Sequence, residues 1–313
     1  MIWGLLASNV GWSLGGIAGI LSVATVFVGV RTRLHPELDL TELRLRIRSW
    51  WMIAALFTVA IALGRAGTLV FFAFVSFLTL KEYFSLIPTR RADRRVLFWA
   101  YLTIPVQYLW VALDWYNMFL IFIPVCMFMI LSMRMVIYGE TTGFLRAAAT
   151  LHWGVMAIVF SLGHAAYLLN IALQNSSAGG GMGLVLLLVC LTQFNDVAQY
   201  VFGKTFGTHK ITPKVSPNKT WEGLIGGVVT TVTLAVALAP WLTPLTRGES
   251  LLAGLLIGLG GFAGDVMVSA LKRDLAIKDC GTVIPGHGGI LDRIDSLIWT
   301  APFFFHFVRY LHG

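Results

Sequence analysis

Residues 180–207 read "GGMGLVLLLVCLTQFNDVAQYVFGKTFG". The stretch begins as an apolar run, and a hydrocarbon core of about 30 Å takes roughly 20 such residues of helix. The run is then broken by Gln193, Asn195, Asp196 and Gln199 before it reaches Lys204. An ionisable residue inside a spanning helix costs about 2.5–3.5 kcal/mol on insertion scales and marks a functional position by default. The competing reading is a structural pair between Asp196 and a nearby lysine. Either way the helix belongs in a membrane bundle, with its polar end turned away from lipid.

The rest of the chain agrees. Of its 313 residues, 57% are hydrophobic and 12% charged, against about 25% charged in soluble domains. Ten apolar stretches are long enough to span, at 3–30, 50–66, 67–87, 96–113, 116–134, 147–173, 180–203, 222–243, 251–271 and 291–310. Only a tight "GRAG" turn separates the second from the third. Lys and Arg test this count, because they crowd the cytoplasmic loops. Twenty of the 23 fall in alternate loops, and only Arg65, Arg247 and Arg309 fall on the other side. The expected fold is therefore an all-α polytopic helix bundle of about ten spans, with both termini extracytoplasmic. The net charge of +8 reads as a topology signal. Nucleic-acid binding is excluded, since the basic residues are spread over five loops between hydrophobic spans.

No cleavable leader is expected, because the first apolar run lacks a basic start and is too long. Cys126, Cys190 and Cys280 form no CxxC and no disulfide framework. No internal repeat stands out. The expectation is one integral domain over 1–313, with hydrophobic packing spans over 1–180 and a catalytic half over 181–313. Spans one to six carry few polar residues at depth, and small residues such as those of "GWSLGGIAG" suit close helix contact.

Polar residues gather after residue 180. The loop "HKITPKVSPNKTWEG" places Ser216 before Pro217, like an N-cap and first helical residue. Exposed N–H groups at such a start bind anions, and Lys219 and Thr220 would add a charge and a hydroxyl. An ordinary cap to the eighth span is the equal alternative. In "GLGGFAGDVMVSALKRD", Asp265 lies within the ninth span among small residues. No basic residue lies one turn away; Lys272 and Arg273 follow two turns later.

The segment "KDCGTVIPGHGGILDRID", 278–295, is the densest in charge and glycine. Gly286, Gly288 and Gly289 leave backbone N–H groups bare for a phosphate, just before the N-terminus of the tenth span. His287 either contacts phosphate or caps the turn. Asp292 and Asp295 lie three apart and share a helix face. With Asp196 and Asp265 they give up to four carboxylates around one cavity. Carboxylates beside a phosphate cradle call for a cation, and oxygen-only ligands point to magnesium. No Walker motif and no nucleophile–base pair is evident. Phosphoryl or nucleotidyl transfer needs neither.

Residues 269–295, "SALKRDLAIKDCGTVIPGHGGILDRID", resemble the signature of the CDP-diacylglycerol synthase (phosphatidate cytidylyltransferase) family. The matching positions are Ser269, Lys272, Arg273, Lys278, Asp279, Gly281, Pro285, His287, Gly288, Gly289, Asp292, Arg293 and Asp295. The block "NDVAQYVFGKTFGTHKITPKVSPNKTWEG", 195–223, is similar to the family's second block, with Gln199 and Asn218 where the family usually has Ala and Lys. The resemblance covers about residues 190–310.

It implies that a lipid phosphate attacks the α-phosphorus of CTP, giving CDP-diacylglycerol and pyrophosphate. It also implies a magnesium site, with one or two ions, on Asp265 and Asp292. Lys272, Arg273 and Lys278 join these as catalytic residues. Ser216, Lys219, Thr220, Asp196, Asp279, Gly286, His287, Gly288, Gly289, Arg293 and Asp295 are the expected substrate contacts. Expected partners are CTP, phosphatidate or a related lipid phosphate, and membrane lipids, with a homodimer compatible. The expected location is a bacterial inner membrane with the site facing the cytoplasm. The alternatives are a CTP-dependent lipid kinase and an anion transporter. Paired broken spans in two repeated halves would mark the latter, whereas here the polar residues fall in one half.

Overall fold

The computed structural model describes residues 8–35, 37–90, 93–137, 139–171, 179–281 and 288–312. Among them are ten long helices: α1 (Asn9–Leu34), α2 (Thr41–Ala62), α3 (Gly64–Leu86), α4 (Arg94–Ala112), α5 (Tyr116–Ile137), α6 (Phe144–Asn170), α7 (Gly180–Phe206), α8 (Trp221–Leu242), α9 (Arg247–Asp274) and α10 (Leu291–His312). Eight of them are long and apolar enough to cross a membrane; α4 and α10 are not in that set. The reason is visible in each. Arg94 and Arg95 open α4, and Asp292, Arg293 and Asp295 open α10. The fold is that of an all-α polytopic membrane protein.

Contacts define two ends of the bundle. At one end Arg65, at the start of α3, donates to the carbonyls of Val111 and Ala112 and to Asn170, tying α3, α4 and α6. Asn9 of α1 donates to the Trp241 carbonyl near the end of α8 at 2.7 Å. At the other end Arg90, between α3 and α4, donates to the Thr142 carbonyl between α5 and α6. Arg273, at the end of α9, donates to the Val215 carbonyl between α7 and α8 at 3.0 Å. The loops rich in Lys and Arg therefore meet at one end.

Several boundaries differ from the sequence reading. The "GRAG" segment is not a separate turn. The chain reverses at Leu63–Gly64, where Gly64 takes φ +76°, and Arg65 already lies in α3. Only a residue without a Cβ adopts that conformation freely. The loop after α7 holds a two-stranded antiparallel hairpin, β1 (Lys210–Thr212) with β2 (Ser216–Thr220). Ser216 is thus the first residue of a strand, paired with Thr212, and not a helix cap. The cap of α8 is Thr220, whose Oγ1 accepts from the Gly223 N–H at 3.1 Å. α9 runs beyond 251–271 because Thr246 and Glu249 form a reciprocal capping box at its start.

α7 packs against α8, α9 and α10 and buries eleven residues. Asn195 holds that core. Its amide donates to the Gly258 carbonyl of α9 at 3.3 Å, and its oxygen accepts from Thr231 of α8 at 3.1 Å. Gly261 permits the approach, since a Cβ there would stand 2.6 Å from the Asn195 amide nitrogen. One of the four polar residues that open the site on α7 is therefore packing glue.

Candidate active site

Asp196, Asp265, Lys272, Asp279, Asp292, Arg293 and Asp295 line one cavity of about 190 Å³ at the basic end. They come from α7, α9, the connection after α9, and the first turn and a half of α10. Five carboxylates thus face a space about the size of a few water molecules.

Each acidic group is held differently. Asp196 accepts from the Ser296 hydroxyl of α10 at 2.8 Å. Asp265 accepts from Ser269 at 3.3 Å and forms an ion pair with Lys219 of β2. Asp292 accepts from the Lys272 ammonium at 2.8 Å and from the Cys280 and Gly289 N–H groups at 2.8 and 3.0 Å. Asp295 caps back on the Ser296 N–H at 2.8 Å. Asp265 and Asp292 both have neutralising partners. No basic residue lies one turn away on their own helices, yet β2 and the end of α9 bring Lys219 and Lys272 to them. Tertiary contact supplies what helical spacing does not.

The start of α10 brings a correction. Its N–H groups were expected to be free for phosphate. Instead the Glu82 carboxylate, from the last turns of α3, accepts from Ile290 and Leu291 at 2.9 and 3.0 Å. Glu82 is 8% exposed, so those two N–H donors replace water it has lost. A Cβ on Gly289 would collide with this carboxylate, and one on Gly281 would stand 2.9 Å from it. Gly288 takes φ +78° against Asp292. The glycines here make room for two carboxylates, Glu82 and Asp292, at the ends of the connection. Gly286 and His287 lie outside the described residues.

The remaining expected residues divide. Lys219 donates to Gln199 at 3.1 Å as well as pairing with Asp265, so it borders the acidic cavity. Thr220 is turned into the cap of α8. Arg273 is exposed and fastens the hairpin, while Lys278 is exposed on the connection; neither lines the cavity. Burial and the Asp292 carboxylate push the Cys280 thiol up, so it offers no thiolate nucleophile.

Among the described residues no three His, Cys, Asp or Glu side chains are arranged to hold a metal ion. The donor set still fits magnesium. Five carboxylates line the cavity, with Lys219, Lys272 and Arg293 beside them. All the donors are oxygens, the ligand type a hard divalent cation takes.

The profile of the cytidylyltransferase family matches residues 44–311. The chain belongs to that family. The match begins in α2, so it reaches much further into the N-terminal half than the motifs at 190–310. The chain is 47% identical over 298 residues to the Escherichia coli (strain K12) protein YnbB, covering 95% of this chain and 98% of that one. It is 40% identical over 132 residues to a phosphatidate cytidylyltransferase of Haemophilus influenzae, covering 41% of this chain and 46% of that enzyme. A chloroplastic phosphatidate cytidylyltransferase of Arabidopsis thaliana is 40% identical over 131 residues, 33% of its length. The chain spans less than half the length of those named enzymes.

Sequence reasoning missed Glu82 as a member of this site. The signal was present: "LTLKEYF" puts a carboxylate near the end of an otherwise apolar helix. Lys81 beside it counts with the basic residues of the loop that follows.

Proposed function

We propose that this cytidylyltransferase joins CTP to phosphatidate or a closely similar lipid phosphate, forming CDP-diacylglycerol and pyrophosphate, at the cytoplasmic face of a membrane. The observation that carries this reading is the charged cavity at the basic end of the bundle. It collects five carboxylates and borders three cationic side chains where α7, α9, α10 and the hairpin meet. Positive residues at that end favour its cytoplasmic placement.

Asp265 and Asp292 are the residues that would hold a magnesium ion. Bound there, the ion would supply charge neutralisation for the triphosphate and the departing pyrophosphate. The chain's own groups do the rest. Lys219, Lys272 and Arg293 offer donors to phosphate oxygens, and their present partners Asp265 and Asp292 keep the lysines oriented. Asp196 and Asp295, anchored on Ser296, hold the walls of the cavity. An oxygen of the lipid phosphate bonds to the α-phosphorus while the bond to the bridging oxygen of pyrophosphate breaks. A phosphate is already an anion near neutral pH, so the step needs no protein base and no protein nucleophile. Apolar helices beside the cavity let the acyl chains stay in lipid.

Purified full-length protein in mixed micelles, given CTP, magnesium and a panel of lipid phosphates, tests the substrate. Phosphatidate-dependent pyrophosphate release is the expected result. Equal release with water-soluble glycerol phosphate would remove the lipid from the reading.

A further inference from the structure

The catalytic cavity is not the largest space in the molecule. An open groove of about 470 Å³ lies between α1 and α2 at the same end of the bundle. Thr25, Val28, Gly29, Thr32 and Arg33 line it from α1, and Arg44, Ile47, Arg48 and Trp51 line it from α2. The end is assigned by contact: Asn9 pairs with Trp241 at the far end of α8, so the other end of α1 lies on the side where α8 begins, next to Lys219.

The groove is graded along its length. Thr25 to Arg33 is eight residues, about 12 Å of helix. Its inner end is apolar and closed by the Trp51 indole, which donates to Thr25 at 3.0 Å. Its outer end carries three guanidinium groups. Arg44 donates to Thr32 at 3.3 Å. Among the described residues no carboxylate pairs with Arg33, Arg44 or Arg48, whereas the neighbouring Arg46 is held by Glu42. Arginine forks with spare donors match phosphate oxygens. Basic pockets between spanning helices on the cytoplasmic side suit anionic lipid head groups. A site for a free anion has no use for an apolar floor, and a site for a neutral lipid has no use for three arginines with no carboxylate partner among the described residues. The lipid-facing surfaces around it, Val26, Val30, Met52 and Leu56, are exposed and apolar.

We propose that this groove is a second lipid site, separate from the catalytic cavity, which holds an anionic glycerophospholipid. The phosphate sits among Arg33, Arg44 and Arg48. The glycerol and the first acyl carbons lie against Gly29, Val28 and Ile47, and the chains pass out into the bilayer. The site rests on the chain's membrane fold and not on which lipid the enzyme converts.

Native mass spectrometry of the detergent-purified full chain tests it, with phosphatidylglycerol as probe. This phosphodiester lacks the terminal phosphate that the proposed reaction uses. Phosphatidylcholine and inorganic phosphate are the comparison ligands. The expected result is a phosphatidylglycerol adduct that phosphatidylcholine does not form and that millimolar phosphate does not displace. R44Q/R48Q should weaken it about 30-fold, the worth of two arginines at a membrane surface. G29L should weaken it too, without any change of charge, because a Cβ at Gly29 enters open space and the side chain would fill the groove. Wild-type binding by either variant overturns the site. Displacement by inorganic phosphate would reduce it to a plain anion site and overturn the lipid.

Discussion

α1 and α10 are of similar length, and their fates are opposite. α1 is strongly apolar and buries only Val10 and Val28. α10 falls outside the helices apolar enough to cross a membrane, yet it buries twelve residues, Asp292 and Asp295 among them. In water the more apolar helix would be the inner one. In a bilayer, lipid solvates apolar side chains as well as protein does, so the interior is won by helices with small and polar faces. The same contrast separates the α1–α2 pair from the α7–α10 bundle. The first meets lipid, and the second holds the charged cavity. Glu82 is the exception that links the halves, since α3 sends it to the start of α10.

The contrast breaks most sharply at the carboxylates. Asp265→Asn and Asp292→Asn keep the shape of the side chain and an accepting oxygen. Each is expected to lower turnover by on the order of 10³-fold, the upper range for one preorganised electrostatic group, with membrane insertion and helicity retained. Near-normal turnover at low magnesium in either variant would take the metal off these residues.

Glu82→Gln asks whether the N-terminal half only fills space. Glutamine leaves one of the two N–H groups facing another donor. Turnover should fall by about tenfold, some 1.4 kcal/mol of barrier, with little change in the KM for lipid. Unchanged kcat would confine the reacting unit to α7–α10. Lys219→Ala should then act mainly on the nucleotide. Its expected effect is a rise in the KM for CTP of about fivefold, or about 1 kcal/mol, the typical net worth of a single hydrogen bond. An unchanged KM would reduce Lys219 to a partner of Asp265. The smallest effect belongs to Thr220→Ala. Losing the cap of α8 should cost about 1 kcal/mol of stability, read as a lower unfolding midpoint in detergent, with kcat nearly unchanged.

How much of this was legible follows the same physics. Hydropathy and the lysine and arginine pattern located ten helices; eight of them are long and apolar enough to span on their own account, while α4 and α10 are less apolar. The cavity's acids were legible because Asp196, Asp265, Asp292 and Asp295 interrupt apolar runs. The partners were not legible. Lys219 and Lys272 reach Asp265 and Asp292 across 46 and 20 residues of sequence, and no helical spacing reports such a pair. Ser216-Pro217 looked like a helix start because the same residue types open helices and strands; pairing with Thr212 decides it. Glu82 was hidden for a related reason. A carboxylate near a helix end is ordinary at an interface, and only the fold shows it seated on the N-terminus of another helix.

The central claim is that the nucleotide's α-phosphorus goes to the lipid. Parallel reactions of the purified full chain with CTP labelled at the α- or the γ-phosphorus decide it. The account predicts α-label in a lipid extract and γ-label in pyrophosphate. Label from the γ-phosphorus in the lipid, with CDP left in solution, would contradict it and make the protein a CTP-dependent lipid kinase.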